Sequence, residues 1–266
     1  MLTIFTPTYN REDTLKRLYK SLKSQTLKNF EWIIVDDGST DNTEKLVQNF
    51  IDEQEVSIIY KKTKNGGKMR AVNVGVTLSA REFFFIVDSD DYLDERAVEI
   101  IQEEIVTLPV DYAGLVFRKV EVLDNGFPIR EKESFGEDQI DSTPIDIFYR
   151  RKILGDKAEI VKTSIMREYP FPEIEGEKFV PEGYIWNQIG ENYLFRYIDK
   201  GIYYYQYLAD GYTRRFSEII KKNPEGMKLY YAYMLKKDIP LKNKIKFLIR
   251  LIQSIYYERK KDRRNT

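Results

Sequence analysis

Asp88, Asp90 and Asp91 place three carboxylates within four positions, directly after the apolar run Phe83 to Val87. An apolar run of that length bounded by polar residues reads as a strand buried on both faces of a parallel sheet. The acids then stand at the strand's carboxyl end, the edge at which open α/β sheets bind ligands. Negative charge concentrated there needs a counter-charge. A divalent cation would supply it, because Mg²⁺ and Mn²⁺ prefer carboxylate oxygens and bridge to substrate phosphates. The competing reading is a solvated turn whose Asp residues cap the helix that starts near Glu95. Both readings stay open on this stretch alone.

Two further loops carry polar groups suited to a site, Thr6-Pro7-Thr8-Tyr9-Asn10-Arg11 and Asp36-Asp37-Gly38-Ser39-Thr40-Asp41. A basic, glycine-containing loop, Lys61 to Lys68, adds positive charge nearby. Later in the chain Glu182 begins a helical pattern bearing Ile185, Trp186 and Ile189; there a carboxylate serves as a cap beside the helix dipole or as a base. Asp210-Gly211-Tyr212-Thr213-Arg214-Arg215 offers two cations close to the same region.

The elements that must position these groups follow from periodicity. Leu2 to Thr6, Phe30 to Val35, Val56 to Tyr60 and Phe83 to Val87 read as strands. Between them lie a helix with stripe residues Leu15, Leu18, Tyr19 and Leu22, a second capped by Asp41 with Leu46, Val47 and Phe50 inward, and a third from about Met69 to Ser79. Strands alternating with helices over some ninety residues predict right-handed βαβ units, hence an α/β, doubly wound, mostly parallel sheet of Rossmann-like type. The three loops at the ends of its first, second and fourth strands then converge on one crevice. The glycine pattern that cradles phosphates after a first strand is absent, which again favours a metal on the carboxylates.

Beyond Glu95 the pattern predicts a helix Ala97 to Val106, a strand Tyr112 to Phe117 reaching toward Val122, a hairpin turn at Asp124-Asn125-Gly126, and a surface loop or lid from Glu131 to Ser142. Tyr193 to Ile198 and Ile202 to Tyr207 read as two short aromatic strands. The predicted organisation is an α/β domain over 1–212, split into halves 1–95 and 96–212, followed by C-terminal helices over 213–266.

Composition narrows the chemistry. The 266 residues hold 43 Lys plus Arg and 43 Asp plus Glu, so no global field marks a nucleic-acid binder. Cysteine and histidine are absent, which removes disulfides, thiolate zinc sites and the usual general base, and leaves carboxylates for acid/base and metal work. The start, Met1-Leu2-Thr3-Ile4-Phe5, shows no basic n-region, and no apolar run is long enough to span a bilayer. The expectation is a cytoplasmic protein. The tail repeats Leu241, Ile245, Leu248, Ile252 and Ile255 at helical spacing among nine bases and two acids, a net charge of +7 over 240–266. Such a helix can lie on an anionic membrane, which would make the protein peripheral at the inner face of the cell membrane. The alternative is a helix that docks this stripe on the domain.

Five segments in order resemble family 2 glycosyltransferases of the GT-A fold: Thr6 to Arg11, Val35 to Asp41, Asn65-Gly66-Gly67-Lys68, Ala71 to Gly75, and Val87-Asp88-Ser89-Asp90-Asp91. Gly155-Asp156-Lys157 and Phe179-Val180-Pro181-Glu182 extend the likeness toward bacterial cell-surface polysaccharide members, and beyond Tyr212 it fades. The resemblance implies a nucleotide-sugar site of Thr6, Pro7, Thr8, Tyr9, Arg11, Asp36, Asp37, Gly67, Lys68, Arg70, Asp88 and Ser89. Thr6, Pro7 and Tyr9, with Asp37 and Asp36, would hold a uracil base, Lys68 and Arg70 would lie near ribose or diphosphate, and Asp88 and Ser89 would approach the ribose. It also implies Mn²⁺ or Mg²⁺ on Asp90 and Asp88, and Glu182 as the base, although family members commonly carry an acidic pair where this chain has Glu182-Gly183. The implied reaction is metal-dependent inverting transfer from a UDP-sugar to a surface-glycan or lipid-linked acceptor. A sugar nucleotidyltransferase would need a glycine-rich basic loop after the first strand; a catalytically silent nucleotide-sugar-binding scaffold would bind UDP without turnover.

Overall fold

The computed structural model describes residues 1–123, 134–206 and 216–265. The expected hairpin turn at Asp124-Asn125-Gly126 and the cations Arg214 and Arg215 lie outside them. The first half alternates as its hydrophobic pattern requires: β1 (Leu2–Thr8), α1 (Glu12–Lys23), β2 (Phe30–Asp36), α2 (Thr43–Glu53), β3 (Ile58–Lys62), α3 (Lys68–Leu78) and β4 (Phe83–Ile86). These four strands lie side by side in the order β3-β2-β1-β4, every neighbouring pair parallel. Their acid-bearing ends therefore share one edge.

The second half adds β5 (Tyr92–Leu93), α4 (Ala97–Val106), β6 (Gly114–Glu121), β7 (Gln139–Ser142), a single π-helical turn at Asp146–Arg150, β8 (Lys157–Lys162), α5 (Thr163–Glu168), α6 (Gly183–Ile189) and β9 (Phe195–Tyr205). Strand β8 enters antiparallel between β4 and β6, and β6 pairs in parallel with β9. The sheet is thus parallel where the acid-tipped loops are and mixed where it continues toward α6. Two expectations change here. The two aromatic strands are one: the polar Asp199-Lys200-Gly201 between them is a bulge, since Phe117 pairs with Ile198 and Arg118 with Gly201. The loop expected to run to Ser142 contains β7, whose Ile140 is buried and which pairs with β9.

Alternation along the strands feeds two cores. Ile4, Trp32 and Ile34 pack with Leu15, Leu18, Tyr19 and Phe50 of α1 and α2 on one face. Phe5, Ile33 and Val35 pack with Met69, Val72 and Val76 of α3, and with Ile185 and Trp186 of α6, on the other. A third, smaller core joins α7 (Phe216–Lys222), α8 (Pro224–Leu235) and α9 (Leu241–Asn265).

Helix α9 docks, but not by the stripe expected. Phe247, Leu251 and Tyr257 pack on Ile220, Met227 and Tyr231, and Ser254 is fully buried. Leu241, Ile245, Leu248 and Ile252 stay exposed, at 73%, 52%, 48% and 59%. Two apolar faces share this helix, and the shorter one, weaker in the sequence because Ser254 interrupts it, makes the contact.

Candidate active site

The edge formed by β1, β2 and β4 is knitted together by its own loops. The Asn10 backbone N–H donates to Ser39 Oγ at 2.9 Å, and the Thr40 N–H donates to Asn10 Oδ1 at 2.8 Å. Asp37 accepts from the Gly66 and Gly67 N–H groups at 2.6 and 2.8 Å, one on each carboxylate oxygen. It therefore fixes the start of α3, where Gly67 has φ +96° and a Cβ would stand 2.2 Å from the Lys178 carbonyl oxygen. Only glycine suits that backbone and that approach.

This placement brings Lys68 into the centre. Its Nζ lies 2.6 Å from Asp88 Oδ1, at the tip beyond β4, and 2.8 Å from Glu182 Oε1, at the N-terminus of α6. One ammonium thus joins the two carboxylates for which the resemblance implies metal and base roles. Burial works against the charge on Lys68, but Asp88 and Glu182 outweigh it and hold its pKa well above the ordinary value. Burial likewise opposes ionisation of Asp88, and Lys68 and Lys119 reverse the balance, so this acid sits below the usual carboxylate range.

A cleft of 580 Å³ opens beside the triad, lined by Lys68, Asp88, Lys119, Glu159 and Glu182 and walled by Trp186, Phe195, Tyr197 and Tyr230 among others. A few charged groups set in an aromatic wall are the ordinary make-up of a small-molecule site. Gly155, Asp156 and Lys157 also line it.

Other candidates take different places. Thr6 accepts from the Trp32 indole at 2.9 Å, and Pro7 pairs with Val35 inside the sheet. Thr8 is buried, and its Oγ1 has no hydrogen-bond partner among the described residues. Tyr9 is 47% exposed at the loop tip. Asp36, fully buried, accepts from the Ser39 N–H and from Tyr60 Oη, both at 2.7 Å. Arg11 precedes α1, and its charge reaches Asp90. Ser89 is buried beside Asp88. Arg70 turns away from the cleft: it donates to the carbonyls of Gly66 at 3.1 Å and Ile174 at 2.7 Å, and lies 3.5 Å from Glu173. Its position clamps the 171–175 segment.

Two cleft residues carry no sequence motif. Lys119, on β6, lies 4.0 Å above the Tyr203 ring, and its pKa is raised: Asp88 and Asp91 outweigh the burial that opposes its charge. Glu159, on β8, is pushed up to about 8, chiefly by burial, with Lys119 opposing. The signal was a charge inside an apolar strand, Ala158-Glu159-Ile160, where an unpaired acid is costly. Asp91 turns inward and accepts from Tyr203 Oη at 2.6 Å; burial pushes its pKa up to about 7.

For a divalent cation the donors are Asp88 and Asp90. No cluster of three or more Asp, Glu, His or Cys side chains suited to hold a metal occurs among the described residues. Asp90 is raised by burial and then by the Asp88 charge, so negative charge at this tip is incompletely balanced. Two carboxylates fit Mg²⁺ or Mn²⁺, which characteristically keep waters and take further oxygens from a substrate's phosphates.

A parallel half-sheet with acidic tips, extended by a mixed half that adds Glu182 to the same cleft, is the arrangement of the GT-A fold. S. aureus TarS 1-349 in complex with UDP-GlcNAc superposes with a TM-score of 0.71 at 22% identity, covering 95% of this chain and 72% of that one. The chain belongs to glycosyl transferase family 2, whose profile matches residues 3–166. Among curated relatives, glycosyltransferase GlyA of Streptococcus pneumoniae is 34% identical over 112 residues, which are 42% of this chain and 16% of that protein. The chain therefore spans only a small part of that relative's length. A GalNAc(5)-diNAcBac-PP-undecaprenol beta-1,3-glucosyltransferase of Campylobacter jejuni is 26% identical over 238 residues, 88% of this chain and 72% of that protein.

Proposed function

We propose that this glycosyltransferase moves a sugar from a UDP-sugar, with inversion, onto a hydroxyl of a surface-glycan or lipid-linked acceptor at the inner face of the cell membrane. The observation that carries the reading is Lys68 lying 2.6 Å from Asp88 and 2.8 Å from Glu182, all three lining the cleft. On this reading Asp88 is the donor-side carboxylate and Glu182 the acceptor-side one, both held by one ammonium beside a shared space. The half 1–95 takes the nucleotide and the half 96–212 the acceptor.

Each group then has a task. Thr6, Pro7, Thr8, Tyr9, Asp36 and Asp37 form the base end, the last two by holding the loops in shape, and Arg11, Gly67 and Ser89 border the donor's path. Asp88 and Asp90 would hold Mn²⁺ or Mg²⁺, whose charge offsets that of the leaving diphosphate when the ion is bound. Lys68 adds a second positive charge on the same side and fixes Glu182. Glu182 accepts the proton of the acceptor hydroxyl as its oxygen attacks the sugar's anomeric carbon. The bond to the diphosphate breaks with its electron pair leaving on UDP. One carboxylate suffices, because a single displacement inverts without a covalent intermediate. The relative whose name carries an undecaprenol-linked acceptor and the UDP-GlcNAc complex support the acceptor and donor classes, respectively.

UDP release with Mn²⁺ tests this. Asp90→Ala is expected to abolish it and Glu182→Gln to lower it by about 10²–10⁴-fold; unchanged turnover in either variant overturns the corresponding role.

A further inference from the structure

We infer that α9 is a membrane-surface anchor whose exposed stripe, Leu241, Ile245, Leu248, Ile252 and Tyr256, rests in an anionic lipid interface while its other face holds the enzyme. These five residues are 48–73% exposed and recur three or four positions apart, which puts them on one side of the helix. The side that contacts the protein is a different one, built from Phe247, Leu251, Ser254 and Tyr257. Neither face needs the other to move, so the helix can be attached to both partners at once.

Charge identifies the occupant. Lys244 and Lys246 bracket Ile245 in sequence and so fall on opposite flanks of the stripe, and Lys242 follows Leu241. Glu258, the acid of this helix whose side chain is described, pairs inward with Lys228. An apolar stripe between basic flanks suits anionic headgroups over acyl chains, whereas a second copy of this helix would meet it with the same positive charge. No helix of the described residues is long and apolar enough to cross a membrane, so α9 lies on the surface rather than through it.

The position gives the attachment a purpose. Tyr231 of α8 faces Phe247 of α9 at 5.8 Å between ring centroids, and the adjacent Tyr230 lines the cleft. The cleft wall is therefore one helix away from the anchoring helix. The link to a lipid-linked acceptor rests on the transferase reading above; the attachment itself does not.

The test is co-sedimentation of the full-length protein with vesicles of phosphatidylglycerol and phosphatidylcholine, beside vesicles of phosphatidylcholine alone. Wild type is expected to pellet with the anionic vesicles and at least tenfold less with the neutral ones. Ile245→Gln with Ile252→Gln, both outside the docked face, is expected to cut anionic pelleting at least tenfold while the melting temperature and UDP-sugar hydrolysis in solution stay unchanged. Equal pelleting of variant and wild type, or none by either, overturns the anchor. So does a dimer in light scattering that the same substitutions dissolve, since the stripe would then serve a second copy. Loss of hydrolysis in wild type would instead strike the reaction and leave the vesicle result standing.

Discussion

Lys68 links two carboxylates that act in different halves of the proposed reaction, so its removal is expected to do more than lower affinity. Lys68→Met leaves Asp88 and Glu182 facing the cleft without their shared cation. Breaking a largely buried pair from one side typically costs about 3–5 kcal/mol; here the three side chains are 17%, 28% and 35% exposed, so the lower end or less is expected. Chemical denaturation checks the stability, and KM for the UDP-sugar is expected to rise. Glu159 allows a sharper test through pH. Its pKa is raised to about 8 from an ordinary value of 4.5, so the folded protein keeps a proton that the unfolded chain has lost over that window. Stability therefore falls as pH rises from about 4.5 to 8, by at most about 1.4 kcal/mol per pH unit from this group. Glu159→Gln is expected to flatten that fall, gaining more in melting temperature at pH 8 than at pH 5. Equal gains at both would remove the buried acid as the cause. Asp88 and Asp90 stand out in the sequence because they follow the apolar run Phe83 to Val87, whereas Glu182 opens the pattern of α6, where a cap reads as well as a base, and only the resemblance gives it the base role. Glu159 and Lys119 were hidden because they sit within strands, and only the antiparallel insertion of β8 beside β6 turns them toward one cleft.

At the level of elements, periodicity located β1 through β4 and α1 through α3 because local alternation and parallel pairing point to the same answer. It failed where long-range pairing overrides local signals. The aromatic pattern breaks at Asp199-Lys200-Gly201, yet β9 continues through it as a bulge paired with β6. The start of α3 shows the opposite, a local rule strictly kept. Gly67 combines φ +96° with Lys178 backbone so close that a Cβ would meet its carbonyl oxygen at 2.2 Å. Gly67→Ala is expected to destabilise by about 1–3 kcal/mol from the backbone alone, and further through the forced shift of the 178 segment. Because Gly67 N–H holds Asp37 and the next residue is Lys68, turnover should fall along with the melting temperature. A variant with full activity and an unchanged melt would show that this loop is not rigidly tied to the site.

For the molecule as a whole, the question is whether α7, α8 and α9 merely follow the catalytic sheet or help to build its cleft. Glu177 answers structurally: 3% exposed, it accepts from the Glu225 and Gly226 N–H groups at 3.0 and 2.8 Å, holding the N-terminus of α8, and lies 3.2 Å from Lys261 of α9. Through it the tail is tied to the segment that leads into Glu182. A chain ending at Ile239 loses that cation, the Lys228 to Glu258 pair and the packing of Phe247, Leu251 and Tyr257. Three partly buried apolar side chains contribute on the order of 3–5 kcal/mol together, enough to lower the melting temperature by roughly 10 °C in a protein of this size. Hydrogen exchange is expected to rise first in α8, and because Tyr230 lines the cleft, acceptor KM should rise more than donor KM. Such a truncation would lose membrane binding and cleft integrity together, which is why the anchor must be judged with point substitutions on the outer stripe. If the shortened chain melts and exchanges like the full one, α9 is not part of the folded unit, and the division of its two faces between protein and lipid fails with it.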